Sequence, residues 1–139
     1  MALGEKVFES KQKATATAVK AVGPEGVTIE QSWTGEFKGL GRAQGLIGTI
    51  TGTGTYVQTI GGSARGSAQG LIITKEGETV VYKTHGVGRT ESNKGKFAAL
   101  TTYMTVSPKL SWMNNLVTLD EAEGNPTFTE FTLTGQEWK

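Results

Sequence analysis

Apolar and polar residues alternate with a period of two along most of this 139-residue sequence. The alternation is clearest from residue 27 to residue 38, where one set of alternate positions is largely apolar and the other is polar. The first set contains Val27, Ile29, Gln31, Trp33 and Phe37. Because successive side chains of a strand point to opposite faces, this pattern predicts a half-buried strand with the first set inward. Gln31 is the polar member of that set, and a buried amide needs hydrogen-bond partners.

Residues 66–89 predict a β-hairpin around a turn at residues 75–77. A glycine at the end of this turn can adopt the positive φ that closes a three-residue loop. The resulting register sets Gly70 opposite Tyr82 and places His85, the one histidine of the sequence, on the other face. A slip of one residue would exchange the faces, but Glu-Gly is a poor substitute for the Asn-Gly that two-residue loops favour. One face holds Ala68, Gly70, Ile72, Val80, Tyr82 and Thr84.

Five further segments have the texture of strands, so the sequence predicts eight strands in a single domain over residues 1–139. These segments are residues 6–22, 46–60, 96–106, 116–120 and 127–138. A helical turn is predicted at Pro108–Asn115, with Ser107 as its cap. Eight sequential antiparallel strands close naturally into a β-barrel, which removes exposed edges. A two-sheet β-sandwich is the alternative fold.

Glycines share one face of the third predicted strand, at Gly48, Gly52 and Gly54. Glycine weakens a strand unless the chain bends or another group packs closely, so these residues indicate curvature. The interior of an eight-stranded barrel is either filled by side chains or wide enough for one small ligand. In a solid barrel, a bulky neighbour would cover each glycine. We expect such cover at one glycine only, where Tyr82 lies opposite Gly70. The sequence therefore predicts an unevenly filled interior.

The charge and composition exclude several classes of function. The formal net charge is +1 with both signs interspersed, which gives no electrostatic footprint for nucleic acid or a membrane surface. The sequence has no cysteine, and a zinc site would need several nitrogen or sulfur ligands. We therefore expect no metal and no cofactor. Without a signal peptide or a long apolar segment, a soluble cytoplasmic protein is the expectation.

Few residues offer catalytic chemistry. One histidine and one aspartate, His85 and Asp120, leave little room for a Ser-His-Asp triad, and there is no Gly-x-Ser-x-Gly motif. His85 is the weak candidate for a proton-transfer residue, against the plainer interpretation of a structural or surface histidine. The carboxylates of Asp120, Glu121 and Glu123 indicate a solvated turn more than a calcium site, because their spacing matches no EF-hand loop.

Several aromatic residues are candidates for the wall of an internal binding site. Most simply, they fill a core, but the same side chains would line an apolar ligand cavity. The candidate wall residues are Trp33, Tyr56, Tyr82 and Tyr103. Gln31 is the candidate polar group that orients the ligand. Arg89 is the candidate for an anionic group at the mouth, although a plain surface arginine is the alternative.

Four stretches carry a resemblance to a known family: VFESKQKATATAV, AQGLIITKEGETVVYKTHGVGR, SPKLSWMNN and EFTLTGQEWK. Together they resemble a family of small prokaryotic proteins of unknown function that is similar in build to allene oxide cyclase. The resemblance implies an eight-stranded antiparallel barrel. The wider group includes cyclases and dirigent proteins that steer an apolar intermediate without metal or organic cofactor. No cyclase catalytic residue has a matching motif here, so the resemblance implies a class of function only.

Two function classes stay open at this level. The first is a barrel that binds a small apolar or amphipathic molecule, a class that extends to cofactor-free cyclases and isomerases. The second is a non-catalytic barrel that acts through assembly. Residues 96–106 carry apolar side chains on both faces, with Leu100 and Met104 opposing Phe97 and Tyr103. Since the outer side chains need cover, the sequence predicts a homodimer or homotrimer.

Overall fold

The computed structural model describes residues 2–139 as a closed barrel of eight antiparallel strands in sequence order. This confirms the predicted barrel, and the β-sandwich alternative is wrong. Met1, at the start of the predicted domain, lies outside the described residues. The strands are β1 (Leu3–Gly23), β2 (Gly26–Gly39), β3 (Ile47–Gln58), β4 (Ser63–Thr74), β5 (Thr79–Glu91), β6 (Lys94–Met104), β7 (Val117–Gly124) and β8 (Glu130–Trp138). Across residues 2–139, no helix is long and apolar enough to span a membrane.

The β4–β5 hairpin has the register that the sequence predicts. Gly70 pairs with Tyr82, and the backbone N–H of Thr74 donates to Glu78 O at 2.9 Å across the turn. Gly77 closes the turn with a φ of 87°, a conformation that glycine adopts without steric cost. The predicted inner face of this hairpin is therefore the face that lines the barrel.

One end of the barrel is closed by the loop between β6 and β7. This loop contains a 3₁₀ helix (Ser111–Asn115), within the segment where the sequence predicts a helical turn. Its apolar side chains Leu110, Met113 and Leu116 are buried in the core. The predicted cap is wrong, because the helix begins after Leu110, and Ser107 donates its hydroxyl to the Glu78 carboxylate instead. The closed end is thus sealed by packing.

Strand β1 completes the barrel and also extends beyond it. Its first half pairs with β8, from Leu3 to Lys13, and nearly all the rest continues along β2. Val27 and Ile29 lie in this extension and are only half-buried, although they share a face with Trp33. They lie on the inward face that the alternation predicts but are not buried in the core, because strand period gives the face but not the height within the barrel.

Candidate functional site: the barrel cavity

A cavity of about 140 Å³ lies inside the barrel, between the closed end and the opposite, open end. The open end is formed by the β1–β2, β3–β4, β5–β6 and β7–β8 connections, which follow from the strand order. Apolar and small side chains dominate the wall. It includes Phe8, Phe37, Ile50, Ala68, Ile72, Ala99, Ala122 and Leu133.

Aromatic rings occupy the space that the interior glycines leave free. A Cβ on Gly52 would lie 2.1 Å from Tyr82 Oη, and one on Gly54 would lie 2.9 Å from the Trp33 ring. Gly88 is covered in the same way by the Phe97 ring, at 2.8 Å. The expectation of a single covered glycine is therefore wrong. The cavity volume is what remains after these rings have packed against glycine backbone.

Four half-buried aromatic residues surround the open end, and we call Trp33, Phe97, Phe128 and Phe131 the aromatic collar. The Phe128 ring links two of them, with centroids 6.2 Å from Phe97 and 5.2 Å from Phe131. Trp33 packs edge-on against Phe131 at 5.8 Å, and its indole N–H donates to Phe128 O at 3.0 Å. The collar therefore holds the β7–β8 loop against the barrel and leaves an apolar entrance.

A carboxyl group lies within the cavity wall, on Asp120 of β7. The Thr101 hydroxyl donates to Asp120 Oδ2 at 2.6 Å and lies 2.9 Å from the Thr84 hydroxyl. The second oxygen, Oδ1, is enclosed beside Gly135, where a Cβ would approach it to 2.7 Å. Among residues 2–139 Oδ1 has no hydrogen-bond partner. An unsatisfied buried carboxylate oxygen is costly, so this group is set for a partner that the protein does not supply.

Burial controls the protonation of the groups around Asp120. Loss of hydration raises the pKa of Asp120 above its ordinary value, and the Thr101 and Thr118 hydroxyls oppose this shift. Burial, together with the Asp120 charge, raises the pKa of Tyr82 to about 12. The same two causes hold the pKa of Tyr103 well above its ordinary value, against the bond of 2.8 Å to Thr118. Both tyrosines are therefore neutral hydroxyls at physiological pH.

A second polar group faces the cavity from β1. Gln12 and Ser10 are both buried, and Gln12 Nε2 donates to Ser10 Oγ at 3.0 Å. Both residues belong to the cavity wall together with Asp120. The wall thus combines the apolar collar with polar groups, of which Gln12 pairs with Phe131 of the collar and Ser10 with Leu133 further inside.

The structure brings most of the sequence-predicted wall residues together. Trp33, Tyr56, Tyr82 and Tyr103 line the cavity. Arg89 borders the open end, and its Nε lies 2.9 Å from Glu91 Oε2. Its position fits either a surface ion pair or a contact with a group entering the mouth.

Two predicted site residues lie outside the cavity wall. Gln31 is buried, and its Nε2 donates to Thr17 Oγ1 at 3.0 Å and to Thr127 O at 3.5 Å. It thereby ties the β7–β8 loop to the barrel instead of facing the cavity. His85 pairs with Ser67 on the outer face and is exposed to solvent. Its distance from the cavity leaves it no contact with a molecule bound there.

The acidic run of β7 differs from its sequence-based interpretation. Residues 120–123 belong to the strand, so the predicted solvated turn is wrong. Asp120 is buried in the barrel, whereas Glu121 and Glu123 are exposed. Within residues 2–139, no cluster of three His, Cys, Asp or Glu side chains is placed to hold a metal ion. Asp120 shares the inner face of β7 with Thr118 and Ala122, but the apolar Val117 and Leu119 at the alternate positions hide this face in the sequence.

Three solved structures share this fold along nearly the whole chain. A protein of unknown function from Clostridium acetobutylicum is 19% identical with a TM-score of 0.81, and 100% of both chains is covered. A β-barrel-like protein from Acinetobacter baumannii is 18% identical with a TM-score of 0.83, covering 99% of this chain and 96% of that one. An enzyme from Penicillium herquei is 18% identical with a TM-score of 0.72, covering 96% and 92%.

At these identities the similarity shows the fold and no more. No protein-family model matches the sequence, and no functionally curated protein is significantly similar to it. The Clostridium acetobutylicum protein is described as of unknown function, and the Acinetobacter baumannii protein is described as β-barrel-like. That the protein belongs with the allene oxide cyclase group stays a prediction.

Proposed function

We propose that this protein binds a small, compact, apolar or amphipathic molecule inside the barrel. The observation that carries the proposal is the cavity of about 140 Å³, closed by packing at one end and open through the aromatic collar at the other. An apolar cavity of about 150 Å³ is known to accommodate benzene, so the ligand has roughly six to ten non-hydrogen atoms within the barrel. A longer molecule would project through the open end.

Titration with toluene, followed by NMR, tests this function directly. We expect saturable binding at one site, with shifts concentrated on the wall residues. The variant Ala99→Leu fills the cavity and should weaken binding at least roughly tenfold, the effect of one or two lost methylene-sized contacts and a steric overlap. Ala98→Leu adds the same volume on the exposed outer face and is the matched control. Toluene that fails to bind, or that binds equally to both variants, would refute the function.

A second candidate, cofactor-independent isomerisation or cyclisation, is favoured by the Asp120 carboxyl in the cavity wall. The resemblance to the allene oxide cyclase group supports the same class, and the Penicillium herquei neighbour is described as an enzyme. In this scheme the carboxylate removes a proton from a carbon next to a carbonyl, the electron pair moves to the carbonyl oxygen, and a proton returns to carbon.

Exchange of carbon-bound hydrogen in D₂O tests the catalytic candidate. With phenylacetone as the substrate, NMR should show deuterium entering the position next to the carbonyl faster with the native protein than with Asp120→Asn. Exchange at the rate of buffer alone would remove catalysis on this ligand class and leave binding unaffected.

A further inference from the structure

The polar part of the cavity specifies the kind of ligand, given the binding function proposed above. Thr101 donates a hydrogen bond to the Asp120 carboxyl and the nearby Thr118 hydroxyl also stabilises its charged form, whereas an ionised carboxylate can accept about four hydrogen bonds. Oδ1 receives none from residues 2–139. The carboxyl therefore has acceptor capacity that the described part of the protein leaves unused.

The neighbours of Asp120 are neutral hydroxyl groups and not cations. Tyr82 and Tyr103 are protonated, and Thr101 and Thr84 form the hydroxyl pair beside the carboxyl. The basic residues of the wall, Arg89 and Lys96, are both at the open end and lie 2.9 and 3.6 Å from the Glu91 carboxylate. Since buried charges are normally paired, a hydrogen-bond donor or a cation on a molecule in the cavity would stabilise the ionised form of Asp120.

The depth of the groups gives the orientation of that molecule. The aromatic collar surrounds the entrance, whereas Asp120 pairs with Gly135 and Ser10 with Leu133, both further from the open end along β8 than Phe131 of the collar. An amphipathic molecule that enters polar end first would therefore leave its apolar body among the rings. Rotation about χ2 of aspartate has a broad, shallow energy profile, so the carboxyl can turn Oδ1 away from Gly135 towards a donor.

We propose that the cavity selects a ligand with a hydroxyl or amine donor on a compact apolar body, and that this donor binds the Asp120 carboxyl. The class includes small aromatic alcohols, phenols and amines. The four rings of the aromatic collar would pack against the apolar part of such a ligand. Their faces would also attract a cationic amine. Anions of the same size are rejected because they would meet the carboxylate.

The test compares toluene, benzyl alcohol and benzylamine on the native protein and on Asp120→Asn. Glu121→Gln is the matched control, because it removes a carboxylate from the adjacent, exposed position. In Asp120→Asn, the Thr101 hydroxyl can still donate to the amide oxygen, whereas the other position of the group becomes an N–H₂, which donates and cannot accept a hydrogen bond. The preference for a donor ligand over toluene should therefore fall at least roughly tenfold in Asp120→Asn and stay unchanged in Glu121→Gln.

A measurement on the native protein makes the test independent of variant folding. Asp120 is the single aspartate of the sequence, so aspartate labelled with ¹³C at the carboxyl gives one resonance. Benzyl alcohol or benzylamine should shift this resonance at saturation, whereas toluene should leave it nearly unchanged. Of benzyl alcohol and benzylamine, the compound that binds more tightly and shifts the resonance further shows whether the site prefers a neutral alcohol or a cationic amine.

The outcomes separate the two levels of the proposal. If the three ligands bind with a preference that Asp120→Asn does not change, or the carboxyl resonance responds equally to toluene, the donor selection is wrong and the binding function stands. If none of the three ligands binds to the native protein, the binding function fails, and the donor selection fails with it.

Discussion

The two ends of the barrel are built by the same eight strands but differ in how their rings and loops pack. At the closed end Val7, Ile72 and Met113 are at most 2% exposed, because the β6–β7 loop folds its apolar side chains into the barrel. At the open end the β7–β8 loop places Phe128 across the rim, and the collar rings stay half-buried. The packing that stabilises the barrel and the entrance to the proposed binding cavity therefore belong to different loops, so each end can be changed separately.

The largest expected effect is at the closed end. Met113→Ala removes a side chain that is 1% exposed and leaves a cavity, which should lower the free energy of unfolding by about 2–5 kcal/mol. Met104→Ala, at 63% exposure on the outer face, should change it by less than about 0.5 kcal/mol. Chemical denaturation measures both. Similar values for the two variants would show that the 3₁₀ helix does not seal the barrel.

At the open end, Trp33→Ala should cost less. A fully buried tryptophan would cost about 3–5 kcal/mol, and the half-buried Trp33 ring should cost roughly half of that. Trp33→Phe keeps an aromatic ring but loses the hydrogen bond to Phe128 O. We expect this variant to lower the free energy of unfolding by about 1 kcal/mol. Denaturation gives the stabilities, and toluene titration should show weaker binding for Trp33→Ala. A cost equal to that of Met113→Ala would abolish the distinction between the ends.

The pH dependence of stability reports on the cavity wall. Because the pKa of Asp120 is raised in the folded state, the folded protein binds this proton more tightly than the unfolded chain. The contribution of Asp120 to the free energy of unfolding should therefore fall as the pH rises from the ordinary value of 3.8 through the raised pKa, whereas Glu91 and Glu123, whose pKa values are lowered, contribute in the opposite direction. Tyr82 and Tyr103 titrate far above this range and do not contribute.

Asp120→Asn should lose this decline and gain stability relative to the native protein above that range. Denaturation at several pH values measures it, with Glu121→Gln as the control that retains the decline. The ¹³C resonance of Asp120 gives the pKa independently. A value at or below 3.8 would contradict the expected direction.

A smaller effect is expected at Phe128, whose φ of 54° is unusual for a residue with a side chain. Phe128→Ala loses the ring and keeps the backbone strain, whereas Phe128→Gly loses the ring and relieves the strain. The glycine variant should therefore be the more stable of the two by about 1 kcal/mol, the reverse of the usual order in strands. Thermal unfolding decides this, and an alanine variant that is more stable would show an unstrained loop.

The smallest effect on folding concerns assembly, which stays a prediction. Apolar side chains of β4 and β6 are exposed on the outer face: Leu71, Ile73, Leu100 and Met104. A dimer or trimer would cover them. Met104→Glu should shift sedimentation towards the monomer with little change in stability, while Thr132→Glu on β8 should not. A native protein that is monomeric at micromolar concentrations would contradict the prediction.

The sequence was sufficient for the barrel and for one wall of the cavity. Turn chemistry at Gly77 determined the register of the β4–β5 hairpin, and strand period then placed Tyr82 inside and His85 outside. These inferences succeeded because they depend on local geometry. Strand period also places the Trp33 ring on the inner face, where it lies with the other residues of the cavity wall.

The polar wall could not be predicted because it depends on long-range pairing. Asp120 stands beside Glu121 and Glu123, and an acidic run has the composition of a turn. Leu119, an apolar residue, occupies the opposite parity, so alternation in β7 gives no clear inner face. Gln31 was expected in the cavity, but its amide donates to Thr17 on β1 and to Thr127 O in the β7–β8 loop, which is distant in sequence. Which polar group faces the interior is decided by partners that the local pattern does not reveal.

The pairing of β1 with β8 also has a consequence for kinetics. The other strand pairs join neighbours in sequence, whereas Phe8 and Gly135 come from opposite ends of the chain. Loop-closure entropy grows with chain length, so we expect the hairpins to form first and this pair to form last. The cavity does not exist until that contact is made. A bound ligand should therefore slow unfolding while leaving the rate of refolding almost unchanged.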